Sequence, residues 1–214
     1  MPNFNNLWPG TRLALTLAAL SLTVACGQRA VSAAEGWSAA DRTELLARLV
    51  TDQAVRDTLL MQLNSAAGIQ PALVASMNAI DSANQAWLKP RLEARGWPTR
   101  KELGKDGVEA VFLMVQHADR DPAFQAAMLP KIDSAYQRGE IEGQSLALLT
   151  DRVAKAQGKP QIYGTQTTSH GRKLFIDPIE DSANVDARRA KMGLPPLAVY
   201  KHMLDSMVAN AGRN

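Results

Sequence analysis

From Ser38 onward the apolar residues recur at three and four residue steps, segment after segment, and most segments start at a capping residue and stop at a glycine. That period stacks apolar side chains on one helix face, so it commits most of the chain to local helices packed on one another. Ser38-Ala39-Ala40-Asp41 resembles a capping box, and Leu45, Leu46, Leu49 and Val50 follow on one stripe. Thr51 and Asp52 either cap a second helix or sit inside one long helix whose stripe continues through Val55, Leu59, Leu60 and Leu63. After a break at 68–71, the next stripe is Ile80, Asn84, Trp87, Leu88 and Leu92, stopped by Gly96-Trp97-Pro98.

Thr99-Arg100-Lys101-Glu102 is a second capping box. Asp106-Gly107-Val108-Glu109 opens the most apolar helix, whose Val108, Val111, Phe112, Leu113, Met114 and Val115 leave almost no wettable side, so it belongs at the centre of the fold. It ends in the polar cluster Gln116-His117-Ala118-Asp119. Asp121-Pro122 starts a helix with Phe124, Met128, Leu129, Ile132 and Tyr136 inward and Gly139 as its stop. Another, near 144–157, carries Leu146, Leu149 and Val153. The period then changes: 161–168 and 173–176 read as two strands about the turn Ser169-His170-Gly171-Arg172, a hairpin that needs helices to lie on. Helices near 185–192 and from Pro196, with Leu197, Tyr200, Leu204 and Met207 inward, complete the chain. The expected fold is mainly α: a single domain from 38 to 214, with about seven helices and one small β-hairpin.

The first 25 residues have another purpose. Arg12 precedes an unbroken run of small and apolar residues from 13 to 25, too short for a stable bilayer-crossing helix and typical of an export signal. Leu22-Thr23-Val24-Ala25-Cys26-Gly27 resembles the lipobox at which bacterial lipoproteins are cut and acylated, with Leu one place early and Thr23 three before the cut. Cys26 is the single cysteine, so an exported chain has no internal disulfide partner for it, and a thioether-linked lipid removes a free thiol. Residues 26–37 then form a small, polar tether. Gly27 after the cysteine implies the outer membrane, facing the periplasm, in a Gram-negative envelope. The alternative is cleavage after Ser32-Ala33-Ala34 and a soluble secreted or periplasmic protein.

With 46% hydrophobic and 21% charged residues, the composition excludes disorder, collagen and a disulfide scaffold. The net charge of +3 includes Arg12, and the remaining Lys and Arg are scattered among acids, so no nucleic-acid partner is expected.

No zincin, nucleophile-elbow, phosphate-loop or dinucleotide motif occurs, and His117, His170 and His202 lack the spacing of a structural zinc site, so no metal or cofactor is expected. The best polar constellation is Gln116, His117 and Asp119, where an apolar helix emerges from the core and burial can perturb an imidazole. A histidine in that turn also serves to brace the last carbonyls. The second constellation is 161–166: alternation puts Gln161, Tyr163 and Thr165 on one face, with Gln166 opposite and Gly164 leaving a gap for a ligand or a bulge. Asp52 with Arg56, and Asp186 with Arg189, read as exposed ion pairs worth under about 1 kcal/mol. Trp97 covers the core at a helix stop and joins the residues expected to touch a ligand.

Taken together, Asp52-Gln53-x-x-Arg56, Asp81 with Asn84, Gly96-Trp97-Pro98, Gln116-His117-Ala118-Asp119, Asp151-Arg152-Val153 and Gln161-x-Tyr163-Gly164-Thr165-Gln166 resemble the domain of unknown function 6624, from about residue 45 to 200. That resemblance implies exported and lipid-anchored bacterial proteins without an assigned reaction. A signature of Gln, His, Asp, Arg and Tyr favours a polar site over a packing pattern.

Three functional readings follow. In the first, an envelope protein binds a polar small molecule or peptide fragment in a cleft between the end of the central helix and 161–166, through Gln116, Trp97, Gln161, Tyr163, Thr165 and Gln166. In the second, His117 is the general base of a hydrolase or lyase, Asp119 or Asp151 orients it, and Arg152 steadies a developing anion. The third is an interaction module whose polar groups satisfy one another.

Overall fold

A computed structural model describes residues 36–63, 68–170 and 173–211. The leader, Cys26 and most of the tether lie outside these residues, as do Gly171, Arg172 and the side chain of Met207. The elements are α1 (Ala39–Leu63), α2 (Pro71–Arg95), α3 (Arg100–Gln116), α4 (Pro122–Gln137), α5 (Gly143–Ala156), β1 (Thr167–His170), β2 (Lys173–Ile176), α6 (Val185–Lys191) and α7 (Leu197–Ala211), with a 3₁₀ turn before α6. The chain is mainly helical, with seven helices and one two-stranded hairpin among the described residues, as its periodicity predicts.

The punctuation is realised at several ends. Ser38 and Asp41 exchange bonds across the first turn of α1, and Thr99 and Glu102 form a reciprocal capping box on α3. Asp121 accepts from the Phe124 amide above Pro122. Both proposed starts of the central helix are real: α3 is kinked at Gly104, which has a φ of 73°, and the second rod begins beyond it. Arg42 spans the kink, donating from Nε to the Leu103 carbonyl at 2.8 Å and pairing with Asp106 at 2.5 Å.

Thr51 and Asp52 lie within the one long helix α1. Contacts between positions 41 and 91 or 95, 48 and 84, and 56 and 77 or 81 run in opposite sequence directions, so α1 and α2 are antiparallel. The central rod packs on α1, α2, α4 and α5. Leu45, Leu88, Leu92, Leu103, Phe112, Ile132 and Leu149 lie in one core. Trp37, placed by sequence at the end of the tether, is buried in that core and donates its indole N–H to the Gly96 carbonyl.

The α1 stripe differs from expectation. Val50 and Leu60 are exposed, and the buried positions are Asp41, Leu45, Asp52 and Val55. Following the apolar residues misplaces the seam, because two of its members are carboxylates: Asp41 pairs with Arg91 and Arg95 across the interface, and Asp52 with Arg56 of its own helix and with His117.

The hairpin is shorter than predicted. The strands pair from Thr167 opposite Ile176 to His170 opposite Lys173, and 161–166 is not a strand. Its amides go to Asp151 of α5 rather than to a ladder: Ile162, Tyr163 and Thr165 N–H donate at 2.7, 3.0 and 2.9 Å, and the Thr165 hydroxyl at 2.9 Å. Gly164 adopts φ 68°, and a Cβ there would stand 2.5 Å from Ile179 Cδ1, so the close approach is made by the chain's own side chains. Nor do Asp186 and Arg189 form the expected exposed pair. Arg189 is buried and donates to the carbonyls of Tyr163 and Pro195, while Asp186 accepts the Leu197 amide. A loop with polar backbone needs such donors when it is buried against helices.

Candidate functional site

The site is built where the end of α3 meets the seam between α1 and α2. His117 caps α3, its backbone N–H still bonded to the Leu113 carbonyl at 2.9 Å. Its ring leaves the helix end and turns to α1, where Nδ1 stands 2.9 Å from Asp52 Oδ2 and 3.1 Å from Oδ1. The Asp52 side chain is 0% exposed and that of His117 11%. The bond to a carboxylate places the proton of neutral imidazole on Nδ1, leaving Nε2 with a free lone pair. Nε2 has no hydrogen-bond partner among the described residues.

Asp52 is held by two further residues. Gln53 Nε2 donates to Oδ2 at 2.8 Å, and Arg56, one turn along α1, approaches with Nε at 3.3 Å and Nη2 at 3.2 Å. Arg56 Nη2 also donates to Asp81 Oδ1 of α2 at 2.5 Å, and Nη1 lies 3.6 Å from Met77 Sδ. The guanidinium thus joins two largely buried carboxylates on different helices. Burial pushes the Asp52 carboxyl up, but the hydrogen bonds and charges of His117 and Arg56 outweigh it and hold it at about 2, below the ordinary 3.8. At Asp81 burial wins over Arg56 and the pKa is raised.

Such a set can do two things chemically. A carboxylate that fixes the tautomer and orientation of an imidazole prepares Nε2 to accept a proton and stabilises the imidazolium that results. Asp52, Asp81 and His117 can also each offer an atom within 4.8 Å of one another, a donor set for a divalent cation. Arg56 argues for the first use, since it already bridges the two carboxylates and neutralises charge that a cation would otherwise meet.

The other residues singled out by sequence fall into two groups around this one. Gln116, Asp119 and Arg152 come together at the end of α3, where Arg152 Nη1 and Gln125 Nε2 donate to the Gln116 carbonyl at 3.1 and 2.8 Å. Arg152 also pairs with Asp119. This answers carbonyls that the helix end leaves open, although Gln116 Oε1 and Arg152 Nε are buried without partners among the described residues. Asp52, rather than Asp119 or Asp151, orients His117.

Asp151, Gln161, Thr165 and Gln166 form the second group. Gln161 is buried, accepting the Gln166 amide at 2.6 Å and donating to the Gln166 and Asp177 carbonyls at 3.0 Å. Thr165 is tied to Asp151, and its carbonyl accepts from the Tyr200 hydroxyl at 3.0 Å. The half-buried Tyr163 has its phenol pKa raised by burial and by the Asp151 charge. Trp97 packs on the core, and its indole N–H is buried without a partner among the described residues.

Sequence reasoning placed Asp52, Arg56 and Asp81 in the family signature but gave none of them a role in the site. One signal could have found them: Asp52 lies seven residues after Leu45 and three before Val55, and Asp81 lies seven before Leu88, so both carboxylates sit on the buried stripes of their helices.

No curated protein and no solved structure matches this chain. The model of one family matches residues 40–210, which span α1 to α7 and carry all three site helices, and the chain therefore belongs to the family of unknown function DUF6624.

Proposed function

We propose that the protein is a cell-envelope protein, anchored by a lipid on Cys26, in which His117 acts as general base on a small polar substrate. The observation that carries this reading is the hydrogen bond between His117 Nδ1 and the fully buried Asp52 carboxylate, which leaves Nε2 unspent. In the hydrolytic form, Nε2 takes a proton from water as its oxygen attacks an electrophilic carbon. Imidazolium forms opposite Asp52 and returns the proton to the leaving group. Asp52 positions His117, and Arg56 prevents Asp52 and Asp81 from repelling each other. The bonds that Asp151, Gln161 and Thr165 make with main chain favour a structural task for that segment.

The test is conversion of compounds in an envelope extract, read by mass spectrometry, with wild-type protein and His117→Asn. The asparagine amide can still donate to Asp52 but has no second ring nitrogen. Conversion falling by a factor of about 10² or more at unchanged melting temperature is expected; retention of compounds without conversion by the wild-type protein overturns the catalytic reading and favours a binder. Labelling with a radioactive fatty acid tests the anchor, and an unlabelled mature protein ends that part of the proposal.

A further inference from the structure

Next to the His117 cluster, the seam between α1 and α2 holds a groove of about 300 Å³, in which Glu44, Arg48, Thr51 and Asn84 stand among Ala47, Ile80 and Ala83. Two donors of these residues, Arg48 Nε and Asn84 Nδ2, are buried with no hydrogen-bond partner among the described residues. Asn84 is itself only 4% exposed. Buried N–H groups are nearly always satisfied in folded proteins, so two orphans in the lining of one groove call for an acceptor.

The rest of Arg48 is committed. Nη2 pairs with Glu44 at 2.8 Å, and the guanidinium lies 5.2 Å from the centre of the Trp87 ring. Nη1 reaches the Ala83 carbonyl and Asn84 Oδ1, each at 3.4 Å. That last bond is weak enough to let the Asn84 amide turn toward an entering oxygen.

We propose that this groove binds the carboxylate of a small aliphatic acid, whose oxygens accept from Arg48 Nε–H and the Asn84 amide and whose carbon chain lies on Ala47, Ile80 and Ala83. The one guanidinium of the groove is offset in charge by Glu44, so an anion is held there by the two open N–H donors rather than by surplus charge, which disfavours a phosphate dianion. Arg48 is one helical turn from Asp52 on α1, and Asn84 is one turn from Asp81 on α2, so the groove begins one turn from the His117 cluster. The assignment names the substrate class of the site described above and in that respect rests on its catalytic reading.

Nuclear magnetic resonance of the ¹⁵N-labelled protein reads the groove directly, through the Arg48 Nε–H and Asn84 side-chain amide signals. Butyrate is expected to shift both saturably, with butyramide and inorganic phosphate binding at least tenfold more weakly. Asn84→Leu and Arg48→Lys are each expected to weaken butyrate at least tenfold. The lysine variant keeps the charge and loses the planar guanidinium with its Nε–H donor, and it carries the test if the leucine variant does not fold. Butyramide or phosphate matching butyrate, unsaturated shifts, or wild-type affinity in Arg48→Lys overturns the proposal. Such a result leaves the His117 assay untouched, because conversion of envelope compounds is read without butyrate.

Discussion

Replacing Asp52 by Asn keeps the shape of the side chain and removes its charge, and so isolates what the carboxylate does between His117 and Arg56. Its pKa of about 2 in the fold, against 3.8 ordinarily, corresponds to about 2 kcal/mol of stability at pH 7. Asparagine loses that and also turns an N–H toward a site crowded with donors from His117, Gln53 and Arg56. Breaking one side of a buried ion pair of this kind costs about 3–5 kcal/mol. The sign with pH follows from the lowered value: the carboxylate stabilises fully above its ordinary pKa and ceases to do so as pH falls through about 2. By pH 3 about 1 kcal/mol of the difference between wild type and Asp52→Asn is gone. Urea unfolding of both proteins at pH 7 and pH 3 measures it. A gap equal at the two pH values, or below about 1 kcal/mol at pH 7, refutes the reasoning, since the carboxylate would then be solvated rather than held by His117 and Arg56.

Three further outcomes are expected. Asp151→Ala strands three amides and a hydroxyl and is expected to cost about 3–5 kcal/mol, with faster hydrogen exchange at 162–165; a melting temperature within a degree of wild type would refute the staple. Gly164→Ala forces a Cβ onto Ile179 at positive φ and should destabilise by about 1–3 kcal/mol in the same urea assay, whereas a stabilised variant would contradict the packing. Chelation with EDTA should leave substrate conversion unchanged because Arg56 bridges Asp52 and Asp81; loss of conversion, restored by a divalent cation, would instead assign the site to a metal.

Much of the fold was legible. Helical stripes and caps are local, so Thr99 with Glu102, Asp121 before Pro122 and Gly96 before Pro98 each mark an end within a few residues of where it occurs. The hairpin was partly legible. Alternation from 161 looks like a strand until Asp151, ten residues upstream, takes the amides that a ladder would need. The candidate site was legible in part. His117 stood out as a polar residue at the end of an apolar rod, but its partner lies 65 positions away on another helix. Asp52 with Arg56 looked like a surface pair because a four-residue spacing is the same on either face of a helix.

Sequence by itself determined the helical class, the order of elements, the central place of α3 and the prominence of His117, because periodicity and capping act over one or two turns of chain. Tertiary structure alone decided that Asp52 meets His117, that Arg56 joins two carboxylates, and that Asp151 and Arg189 tie down a loop. Those pairings depend on which helix face turns inward and how far antiparallel helices slide. Both are set by the whole core at once, so no local pattern encodes them.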